Sequence, residues 1–414
     1  MVKIYVHLET NHGLYRLEGR PDDDIKSVLD RFSIPMSSVW TFVLEDHTDV
    51  AKAASARRVT FVPATTRLST VAAQGREIHA RVTRNINLPG LLGLDAQFVR
   101  EIERPSTEWT FPSGEDGAFK RVQTQMSAEE CFDFVVRSVD DVLSKWPAEG
   151  PVELVLGTSG GGDSNVLLSA LMQAERIREG GRVVPTMMLG IPDWDTQVDN
   201  ARQICTSLGL ELQIIEGERA AELAGVSSLE DLKTDFHETY PDADLEFLGT
   251  WLLRKVLGGH AHSQGMKFVA TGANREDIIA EGLSRIARGL APLPAPYRPI
   301  GDVTFAYPMY KVPKKIGDGA YPTFSLENYE ARNPSYSPGR SVFYYLSYYL
   351  ADLAPGFDVD LLNGLSTLAD LVPQPFEFDS ELQDHVVKGS YTPEQHRSWQ
   401  DFLARHRSKS GAAQ

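Results

Sequence analysis

Apolar residues recur in two rhythms along the chain, and the change of rhythm divides it. Residues 2–8 (VKIYVHL) and 13–18 (GLYRLE) read as two strands joined through Asn11, His12 and Gly13, and 22–32 (DDDIKSVLDRF) reads as an acid-started amphipathic helix. Two more strand-like runs follow, WTFVL at 40–44 and RVTFVP at 58–63. From about 75 to 125 the pattern is irregular, with the turn-rich pieces NLPGLLG and FPSGEDG, so a linker is expected there. A helix opens where Ser127 and Glu130 have capping-box spacing and runs to about Trp146. Beyond it, strand and helix alternate: strand 152–157, helix 164–179, strand 182–189, helix 195–208 stopped by Gly209, strand 212–215, helix 244–264, strand 267–272 and helix 275–289. Val-, Ile- and Leu-rich strands between helices predict βαβ units and an α/β fold with a parallel, doubly wound sheet. Such sheets bind ligands beyond the carboxyl ends of their strands, which directs attention to the loops after Leu156, Met188 and Val269.

The periodicity predicts three parts: a small α+β accessory unit over 1–110, a nucleotide-type α/β domain over 111–355, and a C-terminal helical extension with a frayed tail over 356–414. Hairpin, helix and further strands make the first part resemble a β-grasp domain, a natural docking module for a protein partner.

Composition narrows the classes. The chain has 414 residues, 42% hydrophobic and 24% charged, with no run near the roughly 18 apolar residues of a membrane helix and no signal or transit pattern at its start, so a cytoplasmic protein without a membrane partner is expected. Only two cysteines are present, Cys131 and Cys205, which argues against a disulfide framework, a cysteine zinc site and a cysteine-ligated iron–sulfur cluster. Acidic residues outnumber basic ones 57 to 41, for a net charge of -16, so nucleic acid is not the default partner.

The strongest motif follows the first strand of the α/β part: Gly157-Thr158-Ser159-Gly160-Gly161-Gly162-Asp163-Ser164, leading into NVLLSALMQA. Strand, glycine turn and helix form an anion cradle, because backbone N–H groups and the positive helix end converge where side chains would obstruct. Ser159 and Ser164 bring hydroxyl donors, whereas Asp163 is a poor phosphate neighbour unless a divalent cation lies between, which points to a magnesium–nucleotide site. Neither a Walker loop nor a dinucleotide fingerprint is present.

Ser159 through Ser164 match the SGGxDS signature, and by it the chain resembles the PP-loop ATP pyrophosphatases, which cleave ATP between the α and β phosphates and transfer AMP to a substrate oxygen. The resemblance spans residues 150–355 and implies ATP and Mg2+ as cofactors. It implies that Ser159, Gly160, Gly161, Gly162, Asp163 and Ser164 bind phosphate, with Met188 and Gly272 at neighbouring strand ends. Thr271 to Asp277 (TGANRED) is similar to the second family motif, in which Asp277 joins Asp163 in holding magnesium, although acids are also favoured in any first helical turn. Tyr307 to Ile316 (YPMYKVPKKI) is similar to the family's proline–apolar–lysine segment, so Lys311, Lys314 or Lys315 approaches the phosphates. Arg254, Lys255, Arg285 and Arg288 are further anion candidates, residues 291–299 (APLPAPYRP) suit a loop over the pocket, and Trp194 and Tyr297 are aromatics able to stack on a base. His260 and His262, two apart on a helix, are not read as metal ligands.

Two branches compete. TGANREDIIAEGLSRIARG and EFLGTWLLRK look like the tRNA-thiolating branch, but Phe247 and Thr250 stand where that branch carries its C-x-x-C pair. Residues 317–346 are similar to the end of the 7-cyano-7-deazaguanine synthase branch, which adenylates a deazapurine carboxylate for attack by an amine. That branch has a four-cysteine zinc site there; Leu326 and Asn328 stand near the ligand positions, so no zinc site is expected. Zinc-less relatives with an added N-terminal domain belong to anti-phage defence systems, which implies a protein partner supplying the nucleophile. Three readings remain: adenylation of a carboxylate or carbonyl acceptor such as 7-carboxy-7-deazaguanine, tRNA thiolation with an external sulfur donor, and a nucleotide-binding subunit without turnover.

Overall fold

The computed structural model describes residues 3–10, 13–32, 34, 39–45, 58–82, 106–112, 121–190, 195–241, 245–320, 343–344, 346–347, 350, 356–372 and 375–408. The N-terminal part is a five-stranded sheet built from β1 (Ile4–Thr10), β2 (Gly13–Gly19), β3 (Val39–Glu45), β4 (Arg58–Phe61) and β5 (Glu77–Val82), ordered β2-β1-β5-β3-β4. The central pair β1 and β5 is parallel and the other pairs are antiparallel. Helices α1 (Ile25–Arg31) and α2 (Leu68–Ala72) bury Ile25, Val28, Leu29, Leu68 and Val71 against it. Asp24 starts α1 by accepting the Ser27 N–H at 2.7 Å, as an acidic N-cap does.

Among its described residues, the stretch expected to be a linker holds three strands. In β5, Ile78, His79 and Ala80 are all buried, and His79 stacks between His7 and Phe42 at ring separations of 5.0 and 5.2 Å. A histidine and flanking charges interrupted the apolar signal of a central strand. The hairpin of β6 (Ser106–Pro112) and β7 (Arg121–Ser127) then runs straight into α3 (Ala128–Leu143). Ser127 and Glu130 close the expected capping box at 3.2 and 2.7 Å.

The second sheet has six strands, β8 (Glu153–Gly157), β9 (Arg182–Met188), β10 (Gln213–Ile215), β11 (Phe268–Ala270), β12 (Tyr297–Ile300) and β13 (Val303–Ala306), ordered β10-β9-β8-β11-β13-β12. Five are parallel and β12 closes the edge antiparallel to β13. The expected α/β fold with a parallel, doubly wound sheet is thus present. Leu154, Val155 and Leu156 on the central β8 are wholly buried, as a strand covered on both faces requires. Residues 291–299, expected as one irregular loop, enter β12 at Tyr297; Pro299 is tolerated because β12 is an edge.

Among the described residues the helices that follow in chain order include α4 (Gly162–Gln173), α5 (Glu175–Arg178), α6 (Val198–Ser207), α7 (Gly217–Ala224), α8 (Leu229–Thr239), α9 (Leu245–Ser263), α10 (Arg275–Ala287), α11 (Lys314–Gly319), α12 (Phe357–Asp370) and α13 (Pro393–His406), with a 3-10 turn at Asp195–Gln197 before α6. Helix 164–179 is therefore two helices, because Ala174 turns to an extended ψ of 136°. Beyond residue 356 a hairpin of β14 (Phe376–Asp379) and β15 (Asp384–Val387) lies between α12 and α13, where only helix was expected. Trp399, Phe402 and Leu403 of α13 share a buried cluster with Phe236, Trp251 and Val269. Among the described residues no helix is long and apolar enough to cross a membrane.

Pairing register positions the chemistry. Ala270 lies beside Leu156 and also beside Ala306, so β8, β11 and β13 end at one level. The loops that follow them, 158–161, 271–274 and 307–313, meet at one edge.

Candidate nucleotide site

The loop after β8 is held by its own polar groups. The Ser164 hydroxyl donates to the Gly161 carbonyl at 3.1 Å and accepts the Ser159 N–H at 3.2 Å. The Ser159 hydroxyl accepts the Gly161 N–H at 3.2 Å and lies 3.2 Å from that of Ser164. Asn165 Nδ2 donates to the Gly160 carbonyl at 3.1 Å. Gly160 has φ +73°, and a Cβ there would lie 2.3 Å from the Gln197 carbonyl oxygen, so the turn before α6 roofs the loop. Gly161 caps α4 with no side-chain bond, which leaves first-turn N–H groups and the positive helix end for an anion.

Gly272 owes its identity to this loop. A Cβ on it would lie 2.8 Å from the Asp163 carbonyl carbon and 2.9 Å from Ser164 N, so the loop after β11 presses directly on the first turn of α4. Next to it, Asn274 Nδ2 lies 3.4 Å from Asp163 Oδ2. Asp277 completes a capping box with Asn274, its Oδ2 accepting the Asn274 N–H at 2.8 Å, while Oδ1 takes the Tyr344 hydroxyl. Both carboxylate oxygens of Asp277 thus have partners of their own.

Of the three lysines left open by the sequence, Lys314 carries its ammonium to Asp163 and lies 3.3 Å from Asp318. Lys314 is 2% exposed and Asp163 32%, so a buried cation stands behind a half-exposed carboxylate on the glycine loop. Lys311 is brought elsewhere, its ammonium 3.4 Å from Asp141 on α3. Its backbone carbonyl, however, accepts Arg275 Nε at 3.0 Å and Nη2 at 2.6 Å. Arg275 also pairs with Asp358 at 2.6 Å, and Glu276 accepts the Lys314 N–H at 2.8 Å. Burial pushes the Glu276 carboxyl up to about 7, against the pull of Arg275 and the Lys314 N–H. Arg275 and Glu276 were not singled out in the sequence, because charged residues in a first helical turn ordinarily face solvent.

Other candidates have structural occupations. The Met188 side chain is buried with Ile215 and Trp251. Arg254 and Lys255 point to Asp384, at 2.5 and 3.5 Å, with Trp251 Nε1 donating to the same carboxylate at 2.9 Å. Arg285 binds the Ala291 carbonyl at 2.6 Å and Arg288 is exposed. Tyr297 donates its hydroxyl to the Val142 carbonyl at 2.6 Å and packs edge-on to Trp146. His260 meets Gln213 at 2.9 Å. Phe247 packs edge-on against Trp399, and Thr250 is exposed. Burial pushes the Cys131 thiol up to about 12 and the Cys205 thiol to about 11. Trp194, Leu326 and Asn328 lie outside the described residues.

No family model and no curated protein matches the chain. Solved structures do. The U34-tRNA thiolase NcsA from Methanococcus maripaludis, a structure with a [4Fe-4S] cluster, is 19% identical over 60% of this chain and 82% of its own, with a TM-score of 0.50. The NH3-dependent NAD synthetase from Campylobacter jejuni is 18% identical over 60% of this chain and 96% of its own, with a TM-score of 0.34. The phosphoadenylyl-sulfate reductase from Candida auris is 13% identical over 48% and 88%, with a TM-score of 0.28. With its glycine loop, its β8–β11–β13 edge and its likeness to the thiolase structure, the chain has a parallel α/β fold of the PP-loop type.

Proposed function

We propose that the chain is an adenylating enzyme: it cleaves ATP between the α and β phosphates, transfers AMP to the carboxylate of a small acceptor, and lets an amine displace the AMP. The observation that carries this is the buried Lys314 ammonium behind Asp163, at the start of a helix whose first turn is open to an anion.

The residues divide the work. Backbone N–H groups of 160–164 and the Ser159 and Ser164 hydroxyls grip phosphate oxygens, and Lys314 offsets the charge that collects on departing pyrophosphate. Asp163 and Asp277 are the carboxylates that would hold a divalent cation, Asp163 beside the Lys314 ammonium and Asn274, and Asp277 beside the Tyr344 hydroxyl. Magnesium, when bound, supplies phosphate charge neutralisation. Because burial holds both thiols of the chain in the protonated form, a nitrogen nucleophile suits the chain better than a cysteine-borne sulfur. The similarity of residues 317–346 to the 7-cyano-7-deazaguanine synthases favours a deazapurine carboxylate as acceptor. The missing zinc cysteines and the added N-terminal domain fit a role in anti-phage defence, with a protein partner that supplies the amine or docks on the N-terminal domain.

The test is release of AMP and pyrophosphate from ATP and magnesium with 7-carboxy-7-deazaguanine, bulk tRNA or no acceptor, comparing wild type with Asp163→Ala. Release stimulated by the deazapurine and lost in the variant is expected. Stimulation by tRNA alone would move the assignment to thiolation with an external sulfur donor. Tight ATP binding with no AMP under any condition would make the chain a nucleotide-binding subunit.

A further inference from the structure

The ammonium of Lys314 lies on the phosphate loop, but the backbone that carries it belongs to a loop 311–313 and a helix of only six residues, Lys314–Gly319. Such a short helix has little stability of its own. The lysine must therefore be placed by something else.

That something is the first dipeptide of α10. The Arg275 N–H donates to the Val312 carbonyl at 2.9 Å. Its guanidinium donates twice to the Lys311 carbonyl, at 3.0 and 2.6 Å, and the Glu276 carboxylate accepts the Lys314 N–H at 2.8 Å. Three of the four residues from 311 to 314 are thus gripped through their backbones. Arg275 is 7% exposed, Glu276 4% and Lys314 2%. Burying such charges is costly, and an apolar pair of the same size would pack as well. What charge adds here is direction: bonds aimed at particular backbone atoms. Arg275 is in turn held by the buried carboxylate of Asp358 on α12, at 2.6 Å.

We propose that Arg275 and Glu276 are positioning residues that set Lys314 on the phosphate loop, with Asp358 holding Arg275 in place. The inference rests on the adenylating reading for its kinetic consequence, though not for its geometry. Neither side chain needs to touch ATP.

The test is a double-mutant cycle in the full-length protein, with pyrophosphate release as the kinetic readout. Glu276→Ala is expected to lower kcat about 10- to 100-fold with KM for ATP within about threefold, the size of effect that a displacement on the ångström scale produces. Glu276→Gln keeps an oxygen able to accept the Lys314 N–H and should restore most of that loss. In a Lys314→Met background, Glu276→Ala should cost almost nothing more, because the group it positions is gone. Independent, multiplying losses in the double variant, or wild-type kinetics in Glu276→Ala, would overturn the proposal.

A second readout needs no turnover. Labelling of Lys314 by an amine-specific acylating reagent, followed by peptide mass spectrometry, should be slow in wild type and in Glu276→Gln and about tenfold faster in Glu276→Ala. Equal rates in all three overturn the proposal. If wild type releases no pyrophosphate while Lys314 labelling still responds to Glu276, the adenylating reading fails and the positioning role stands. Circular dichroism and thermal melting of each variant identify one that does not fold, and Glu276→Leu, which keeps the bulk but not the acceptor, then replaces the alanine variant in the labelling comparison with the same expected rise of about tenfold.

Discussion

Gly272→Ala adds one methyl group and tests whether the phosphate loop is braced by the strand beside it. The new Cβ would lie 2.8 Å from the Asp163 carbonyl carbon, 2.9 Å from its oxygen and 2.9 Å from Ser164 N. Carbon contacts settle at about 3.5 Å or more, so one of the two loops must retreat by roughly 0.6 Å. All three obstructing atoms are backbone, and no side-chain rotation relieves the overlap. Overpacking of this kind costs about 1–3 kcal/mol. The strain falls on Asp163 and Ser164, whose carboxylate and hydroxyl meet Asn274 and the Gly161 carbonyl. A displaced reacting group loses about 100-fold in rate, so the variant is expected to fold, to melt somewhat lower than wild type, and to release pyrophosphate about 100 times more slowly. Calorimetric titration with ATP and magnesium, a thermal melt and a pyrophosphate-release assay on the same preparation measure all three quantities. Wild-type ATP affinity together with wild-type turnover would refute the reasoning, because the close approach would then have no bearing on the site.

Other expectations separate residues that the sequence left together. Lys314→Met should lower pyrophosphate release by about 100- to 1,000-fold, the loss typical of removing one preorganised charge donor, while Lys311→Met, whose ammonium pairs with Asp141, should stay within about threefold of wild type. Replacing Cys131 and Cys205 together with alanine should leave turnover at wild-type levels, as judged by AMP release; loss of AMP release with the fold intact would reinstate a cysteine-borne sulfur. Hydrogen bonds from His406 and then from Arg405 hold the Asp235 carboxyl down at about 2, against an ordinary 3.8. A depressed carboxyl stabilises the fold above its unfolded value and loses that contribution as pH falls through the folded one, so stability should drop between about pH 4 and pH 2. Urea titrations across that range should show the drop in wild type and a flatter profile in Asp235→Asn.

What was legible in the sequence was what repeats or what is chemically unusual. Val-, Ile- and Leu-rich runs between helices pointed to the parallel sheet, and the glycines after Leu156 to the tight strand–turn–helix loop of 157–164. The capping box at Ser127 and Glu130 is a local pattern and was read correctly for the same reason. Features that depend on distant partners were not legible. β5 is a central strand only because β1 and β3 flank it, and its His79 is buried only because His7 and Phe42 stack on it. The choice among Lys311, Lys314 and Lys315 depends on how a loop of three residues is gripped by α10, which no spacing reveals. Arg275 and Glu276 look like any solvated helix start until Asp358, 83 residues away, covers them. Tyr297 looked free to stack on a base because its partner, the Val142 carbonyl, is 155 residues distant.

The segment beyond residue 356 carries the same lesson to the scale of the whole α/β part. It supplies Asp358 to Arg275 on α10 and Asp384 to Arg254 and Trp251 on α9, so the two helices on either side of β11 are each tied by a carboxylate from it. Trp399 and Phe402 cover Phe236, and Trp399 packs edge-on against Trp251. A chain cut after residue 355 would take the Asp358 carboxylate from the buried Arg275, a loss of about 3–5 kcal/mol, and would expose Phe236 and Trp251 as well. Losing one large aromatic side chain from a core costs about 3–5 kcal/mol, and domains are stable by only about 5–15 kcal/mol. The truncated chain is therefore expected to be insoluble or unfolded rather than a weaker enzyme, as read by its yield and its near-ultraviolet circular dichroism. A soluble fragment 1–355 with a cooperative melt and ATP binding would mean that α9 and α10 hold their places unaided, and that Asp358 is dispensable to the geometry around Lys314.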